Sequence, residues 1–98
     1  MKVYLSGAIT SDKNHKLKFE DAKAKYEAKG YKVLSPIETK EYLQKKGNSD
    51  CLIASINMLA KADIMVMLDN PNVSRGMQIE RMIADYCDIT VISEKDNV

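Results

Sequence analysis

Ser74, Gly76 and Glu80 follow one another at spacings of two and four residues. Ser74 is a good helix N-cap, because its hydroxyl can accept from the N–H groups that open a helix. Gly76 then lies in the first turn and removes a side chain where a ligand could approach. Glu80 comes one turn later on the same side. A helix N-terminus attracts anions, so a carboxylate facing a cleft just behind one is a candidate for chemistry. Arg75, between the serine and the glycine, suits a phosphate, or is simply a solvated arginine in a first turn. A second stretch, Ser6-Gly7-Ala8-Ile9-Thr10-Ser11, has the small residues of a loop whose N–H groups face an anion. It lacks the Gly-Lys-Ser/Thr ending of a Walker A loop, and by itself a tight strand–helix turn is the plainer reading.

The elements that must position these residues follow from hydrophobic pattern. The unbroken apolar run 64–68 predicts a strand buried on both faces. Asp69, Asn70, Pro71 and Asn72 are turn formers and stop it. Ile79, Met82, Ile83 and Tyr86 recur at helical spacing and predict one apolar face. Residues 69–87 therefore read as strand end, loop and helix start. Earlier in the chain, residues 2–5 predict a strand that runs into the Gly7 loop. Residues 14–29 predict a helix with core stripe Phe19, Ala22 and Tyr26, closed by Gly30. Its lysines and glutamates read as a solvated face, with His15 near its start and close to the Gly7 loop. Residues 31–34 predict a second strand, ended by Pro36, and residues 38–46 a short helix stopped by Gly47. Ser49 or Asp50 then caps a third helix whose face is Leu52, Ile56 and Leu59. Residues 89–92 predict a last strand, and residues 93–98 a polar tail.

Strands alternating with helices imply a single α/β domain over residues 1–98, a three-layer open parallel sheet of flavodoxin or Rossmann type. Four strands in order 2-1-3-4 place strands 1 and 3 side by side. Their carboxyl ends carry the Gly7 loop and the Ser74–Glu80 helix start, and the switch point between them is the expected pocket.

Composition excludes several classes. The 98 residues are 45% hydrophobic and 30% charged, as in ordinary globular proteins. A formal net charge of +1 lacks the basic surplus that a nucleic-acid polymer demands. No run is long enough to cross a membrane and no secretory segment is visible. Cys51 and Cys87 stand far apart in apolar helical patterns, which suits a reduced, cytoplasmic protein. One histidine and no close cysteine pair argue against a metal site. The methionines 58, 65, 67, 77 and 82 suit core filling or a helix–helix dimer face rather than a cofactor box, and no cofactor is called for.

Three motifs together carry a resemblance. They are Val3-Tyr4-Leu5-Ser6-Gly7-Ala8-Ile9-Thr10, the pair Ala62-Asp63 before an apolar strand, and Ser74-x-Gly76-x-x-x-Glu80 opening a helix. In order and spacing the chain resembles the nucleoside 2-deoxyribosyltransferase superfamily, and within it the 2′-deoxynucleoside 5′-phosphate N-hydrolases and small phage-type relatives. The resemblance implies cleavage of an N-glycosidic bond. It implies that Glu80 is the nucleophile at the anomeric carbon, with Tyr4 in the site. It implies that Gly7, Ala8, Ile9 and Thr10, with Ser74 and Gly76, hold a 5′-phosphate. Ser74 stands where the transferases carry an aspartate, which favours a phosphate over a free 5′-hydroxyl. There are two departures. Ser55 stands where the family has a catalytic aspartate, so protonation of the base would pass to Asp69 or Asp50, or be lost. Thr10 stands where the hydrolases have an arginine, which weakens phosphate capture.

Such chemistry needs few parts. Breaking a sugar–base bond develops oxocarbenium character, which a nearby carboxylate stabilises or traps covalently. A second group protonates the leaving base, and N–H groups at a helix N-terminus hold the phosphate. Without the resemblance, Glu80 reads as an exposed carboxylate pairing with Lys or Arg, and Tyr4 as a core aromatic. Two functions stay open: hydrolysis or transfer at a nucleoside 5′-monophosphate, and non-catalytic binding of a nucleotide-derived ligand on the same pocket. The apolar faces Leu52–Leu59 and 79–86 further predict a two-fold homodimer.

Overall fold

A central strand, β1 (Lys2–Ser6), organises the molecule, whose computed structural model describes residues 1–9, 12–68 and 74–94. In chain order there follow α1 (His15–Ala28), β2 (Lys32–Leu34), a 3-10 turn (Pro36–Glu38), α2 (Lys40–Leu43), α3 (Asn48–Leu59), β3 (Ile64–Met67), α4 (Arg75–Tyr86) and β4 (Thr90–Ser93). The strands make one parallel sheet in the order β2-β1-β3-β4. This is the expected α/β architecture with its switch point between β1 and β3. Asp63 fixes the register at that seam: its carboxylate accepts the Lys2 N–H at 2.8 Å and its own N–H donates to the Lys2 carbonyl at 2.8 Å.

The two-residue period of a strand sorts β1 between two cores. Val3 and Leu5 face α1, and join Phe19, Ala22, Tyr26, Val33, Val66 and Leu68. Tyr4 faces the other way, with Ala8, Leu59, Met65, Met67, Met77 and Ala84, beneath α3 and α4. Burying each large side chain of this kind contributes about 1.5–3 kcal/mol. The α1 stripe is the one its periodicity predicts, with Asn14 and Lys29 as its flanking residues.

Four local expectations change. The predicted helix over 38–46 shrinks to Lys40–Leu43, because Pro36 opens a 3-10 turn and Thr39 then restarts the chain as a cap, accepting from the Tyr42 N–H. Lys45 ends it with φ 54°. Neither Ser49 nor Asp50 caps α3: the helix begins at Asn48 behind an extended Gly47 with no side-chain cap, and Asp50 sits in the first turn, where it complements the helix dipole. The first strand runs one residue beyond its predicted end to Ser6, and the last is shifted to Thr90–Ser93.

The fourth change concerns α4. Its inward residues are Met77, Glu80 and Ala84. At 3.6 residues per turn Ile79, Met82 and Tyr86 fall on the opposite side, and they are 37%, 69% and 88% exposed. Of the predicted face only Ile83 packs against the core. Periodicity locates an apolar stripe, but it does not say which neighbour covers it. Here α3 and the sheet take the narrow 77–80–84 face instead.

Candidate active site

Tyr4 and Ser6 lie two apart on β1, so both side chains leave the same face of the sheet, and both are fully buried. The α4 helix crosses this face and brings Glu80 to them. Ser74 fixes the helix start, its Oγ accepting the Met77 N–H at 3.1 Å. Tyr4 Oη donates to Glu80 Oε2, and Ser6 Oγ donates to Glu80 Oε1 at 2.9 Å. Each carboxylate oxygen thus has one hydroxyl donor, and Glu80 is only 5% exposed.

The electrostatics follow from that cage. Burial pushes the Glu80 carboxyl above its ordinary value of 4.5, and the Tyr4 and Ser6 hydrogen bonds pull it back. Among the described residues no lysine or arginine contributes. Burial also pushes the Tyr4 phenol well above its ordinary 10.0, and the Glu80 charge and hydrogen bond act in the same direction. The Ser55 hydroxyl acts on Tyr4 in the opposite sense. Ser55 comes from α3, is buried, and donates to the Cys51 carbonyl at 2.9 Å. A buried carboxylate balanced by hydroxyls alone keeps a basic, poorly solvated lone pair. That is a suitable state for a nucleophile, or for a group that stabilises positive charge on a sugar.

Around this centre, Gly76 opens space: a Cβ built there meets only Ser74 Oγ, at 3.9 Å. Arg75 is exposed beside it. Gly7 is half-buried, Ala8 packs into the core under α3 and α4, and Ile9 packs against the α1-side core. Those side chains face the protein, which leaves backbone as the part of this loop that could meet an anion. Thr10 and Asp69 lie outside the described residues. Asp50 is exposed in the first turn of α3.

The sequence pattern of the family described as Domain of unknown function (DUF4406) matches residues 1–93. The chain belongs to that family. No curated protein sequence matches it. Among solved structures, the DUF4406 chain is similar to a 2-deoxyribosyltransferase from the psychrotolerant bacterium Bacillus psychrosaccharolyticus. The two share 16% identity and a TM-score of 0.70, over 95% of this chain and 71% of the other. At that identity the likeness is one of fold.

Two residues that sequence reasoning passed over stand out in this DUF4406 domain. Ser6 falls in the predicted loop; with the strand extended one residue to Ser6, alternation puts it on the face of Tyr4. Asp12 is a second buried carboxylate, 7% exposed. It accepts the Asn14 N–H at 2.9 Å and pairs with Lys18 at 2.6 Å. His15 donates from Nδ1 to the Asp12 carbonyl at 3.1 Å, so its Nε2 accepts from Tyr42 Oη at 2.7 Å. His15 therefore ties α1 to α2. Two open grooves lie away from Glu80. One lies between α2 and α3, lined by Lys40, Glu41, Gln44 and Ile53; the other lies beside α1, lined by Lys18, Lys25, Leu68 and Glu94. In the second the lysines are already paired, with Asp12 and Glu94. Neither holds a buried group comparable to Glu80. Among the described residues no set of three His, Cys, Asp or Glu could hold a metal, and no helix is long and apolar enough to cross a membrane.

Proposed function

We propose that this domain cleaves the N-glycosidic bond of a nucleoside 5′-monophosphate, with Glu80 as nucleophile. The observation that carries the reading is the Glu80 carboxylate, buried without a cation among the described residues and held by Tyr4 and Ser6 at the carboxyl end of β1. A glycosyl-transferring fold neighbour is consistent with it. Glu80 attacks the anomeric carbon, the carbon–nitrogen bond breaks, and its electron pair leaves with the base. Asp69, next in the chain after Leu68, is the candidate to protonate that base. Water then releases the sugar phosphate from Glu80, or an acceptor base takes the sugar in a transfer. Backbone of Gly7 to Thr10 and the α4 start at Ser74, Arg75 and Gly76 hold the phosphate. The exposed stripe of Ile79, Met82 and Tyr86 is the proposed seam of a two-fold dimer.

Binding without turnover is the second reading, and Ser55 favours it. Where the resemblance expects an aspartate, the chain offers a hydroxyl whose proton is directed at the Cys51 carbonyl. The test is chromatography of a panel of nucleosides and nucleoside 5′-monophosphates incubated with the protein. Free base from monophosphates, and little from nucleosides, supports cleavage. Saturable binding of monophosphates with no base from any of them supports the binder. No binding at all overturns both.

A further inference from the structure

We propose that Ser6 is a positioning residue for Glu80: its buried hydroxyl fixes the Oε1 end of the carboxylate and stabilises the charged form that the reaction needs. The role rests on the reading of Glu80 as nucleophile and adds a residue to it.

The case is geometric. Glu80 reaches the sheet from α4 on a long side chain with three rotatable bonds. Met77 and Ala84 bury the helix face around it but make no directional contact with the carboxylate. Direction comes from the two hydroxyls. Ser6 is 0% exposed and its backbone is locked: its carbonyl accepts the Leu68 N–H at 2.8 Å, and it pairs in register with Met67. Its short side chain can therefore place the Oγ proton in few directions, and Glu80 Oε1 lies 2.9 Å along one of them. Tyr4 differs, because its phenol sits at the end of a longer side chain and donates to the other oxygen, Glu80 Oε2. Ser6 is the short, fixed anchor of the pair.

The groups facing Glu80 make this anchor matter. From β1 come Tyr4 and Ser6, from β3 the apolar Met65 and Met67, and from α3 the un-ionisable Ser55 and Leu59. Among the described residues Tyr4 is the titratable side chain of this set, and it stays neutral across the working range. A buried anion with two hydroxyl donors, and no cation among the described residues, loses one of its two described donors when Ser6 goes. A hydrogen bond to a charged group is strong enough for that loss to move a carboxyl by about one pH unit or more.

The experiment is carbon NMR titration of the protein labelled at the glutamate side-chain carboxyl, with Glu80→Gln to assign the resonance. It is run on wild type, Ser6→Ala, Ser6→Cys and Tyr4→Phe, with base release against pH alongside. Ser6→Ala deletes one oxygen and should fold. Its Glu80 midpoint should rise by about one pH unit or more, and the acid limb of base release should rise with it. Ser6→Cys, isosteric but a weak donor, should fall between. A merely structural Ser6 would lower thermal stability and leave the midpoint in place. A Ser6→Ala midpoint within about 0.3 pH unit of wild type, with Tyr4→Phe displaced, overturns the proposal. If wild type releases no base, the function proposed above fails, while the resonance alone still decides whether Ser6 governs Glu80.

Discussion

Two buried carboxylates, Glu80 and Asp12, solve the same problem in opposite ways. Asp12 meets a cation, Lys18, and the N–H of Asn14 at the start of α1. Its charge is neutralised locally and its geometry closes a turn. Among the described residues Glu80 meets only hydroxyls, and burial raises its proton affinity. A paired acid of the first kind holds a loop in place. An acid of the second kind is left with reactivity, since a buried charge without a countercharge is the costly arrangement. The contrast sets a carboxylate in the loop before α1, paired with a cation, against one on α4 caged by hydroxyls, the arrangement that the proposed nucleophile requires.

Exchanging each carboxylate should sharpen that division. Glu80→Ala should lower base release at least about 1,000-fold, as for loss of a nucleophile, and leave nucleotide binding in calorimetry intact or tighter, because a negative charge near an anionic ligand is gone. Residual turnover within tenfold of wild type would sink the nucleophile. Asp12→Ala should instead cost about 1–3 kcal/mol in urea unfolding, through the lost turn bond and a partly screened ion pair. A larger effect on turnover than on stability would erase the distinction.

The pH dependence of stability offers a finer test. The folded Glu80 carboxyl is raised above 4.5 by burial, so the native state binds the proton more tightly than the unfolded chain. Stability from this group is complete below that value and is lost as pH rises through the folded one. Glu80→Gln should therefore gain on wild type as pH rises through that window, and the gap should close in acid. Unfolding curves whose difference is flat across the window would refute the cation-free cage. The smallest effect concerns the ligand's approach. Gly76→Ala fits the free space and should stabilise α4 by about 0.5–1 kcal/mol, while weakening monophosphate binding. Unchanged binding would mean that ligand does not approach there.

Much of the architecture was legible because each strand and the α1 stripe repeat a single period over several residues. The sheet order 2-1-3-4 and the core of Phe19, Ala22 and Tyr26 came from that. Glu80 was reachable through Ser74 and Gly76, which signal a helix start with room beside it. What stayed hidden depends on neighbours far away in the chain. Ser6 looks like loop until β3 extends the ladder past Leu5. Asp12 looks like one more surface acid until Lys18 folds over it. The outward turn of Ile79, Met82 and Tyr86 is invisible in a pattern that reports apolar spacing alone.

The Tyr4–Glu80 bond spans 76 residues of chain, and β1 sits between β2 and β3. During synthesis, β1 and α1 can fold against each other early, but the far edge of β1 stays bare until β3 emerges. At roughly 5–20 residues per second that wait lasts several seconds, and parallel pairings over such distances are slow to close. The nascent chain therefore carries an apolar strand with an open edge and a Tyr4–Ser6 pair without its Glu80 partner. The Tyr4–Ser6–Glu80 cluster comes into being only when α4 docks, so under the proposed function a truncated product ending before α4 should be inert rather than partly active.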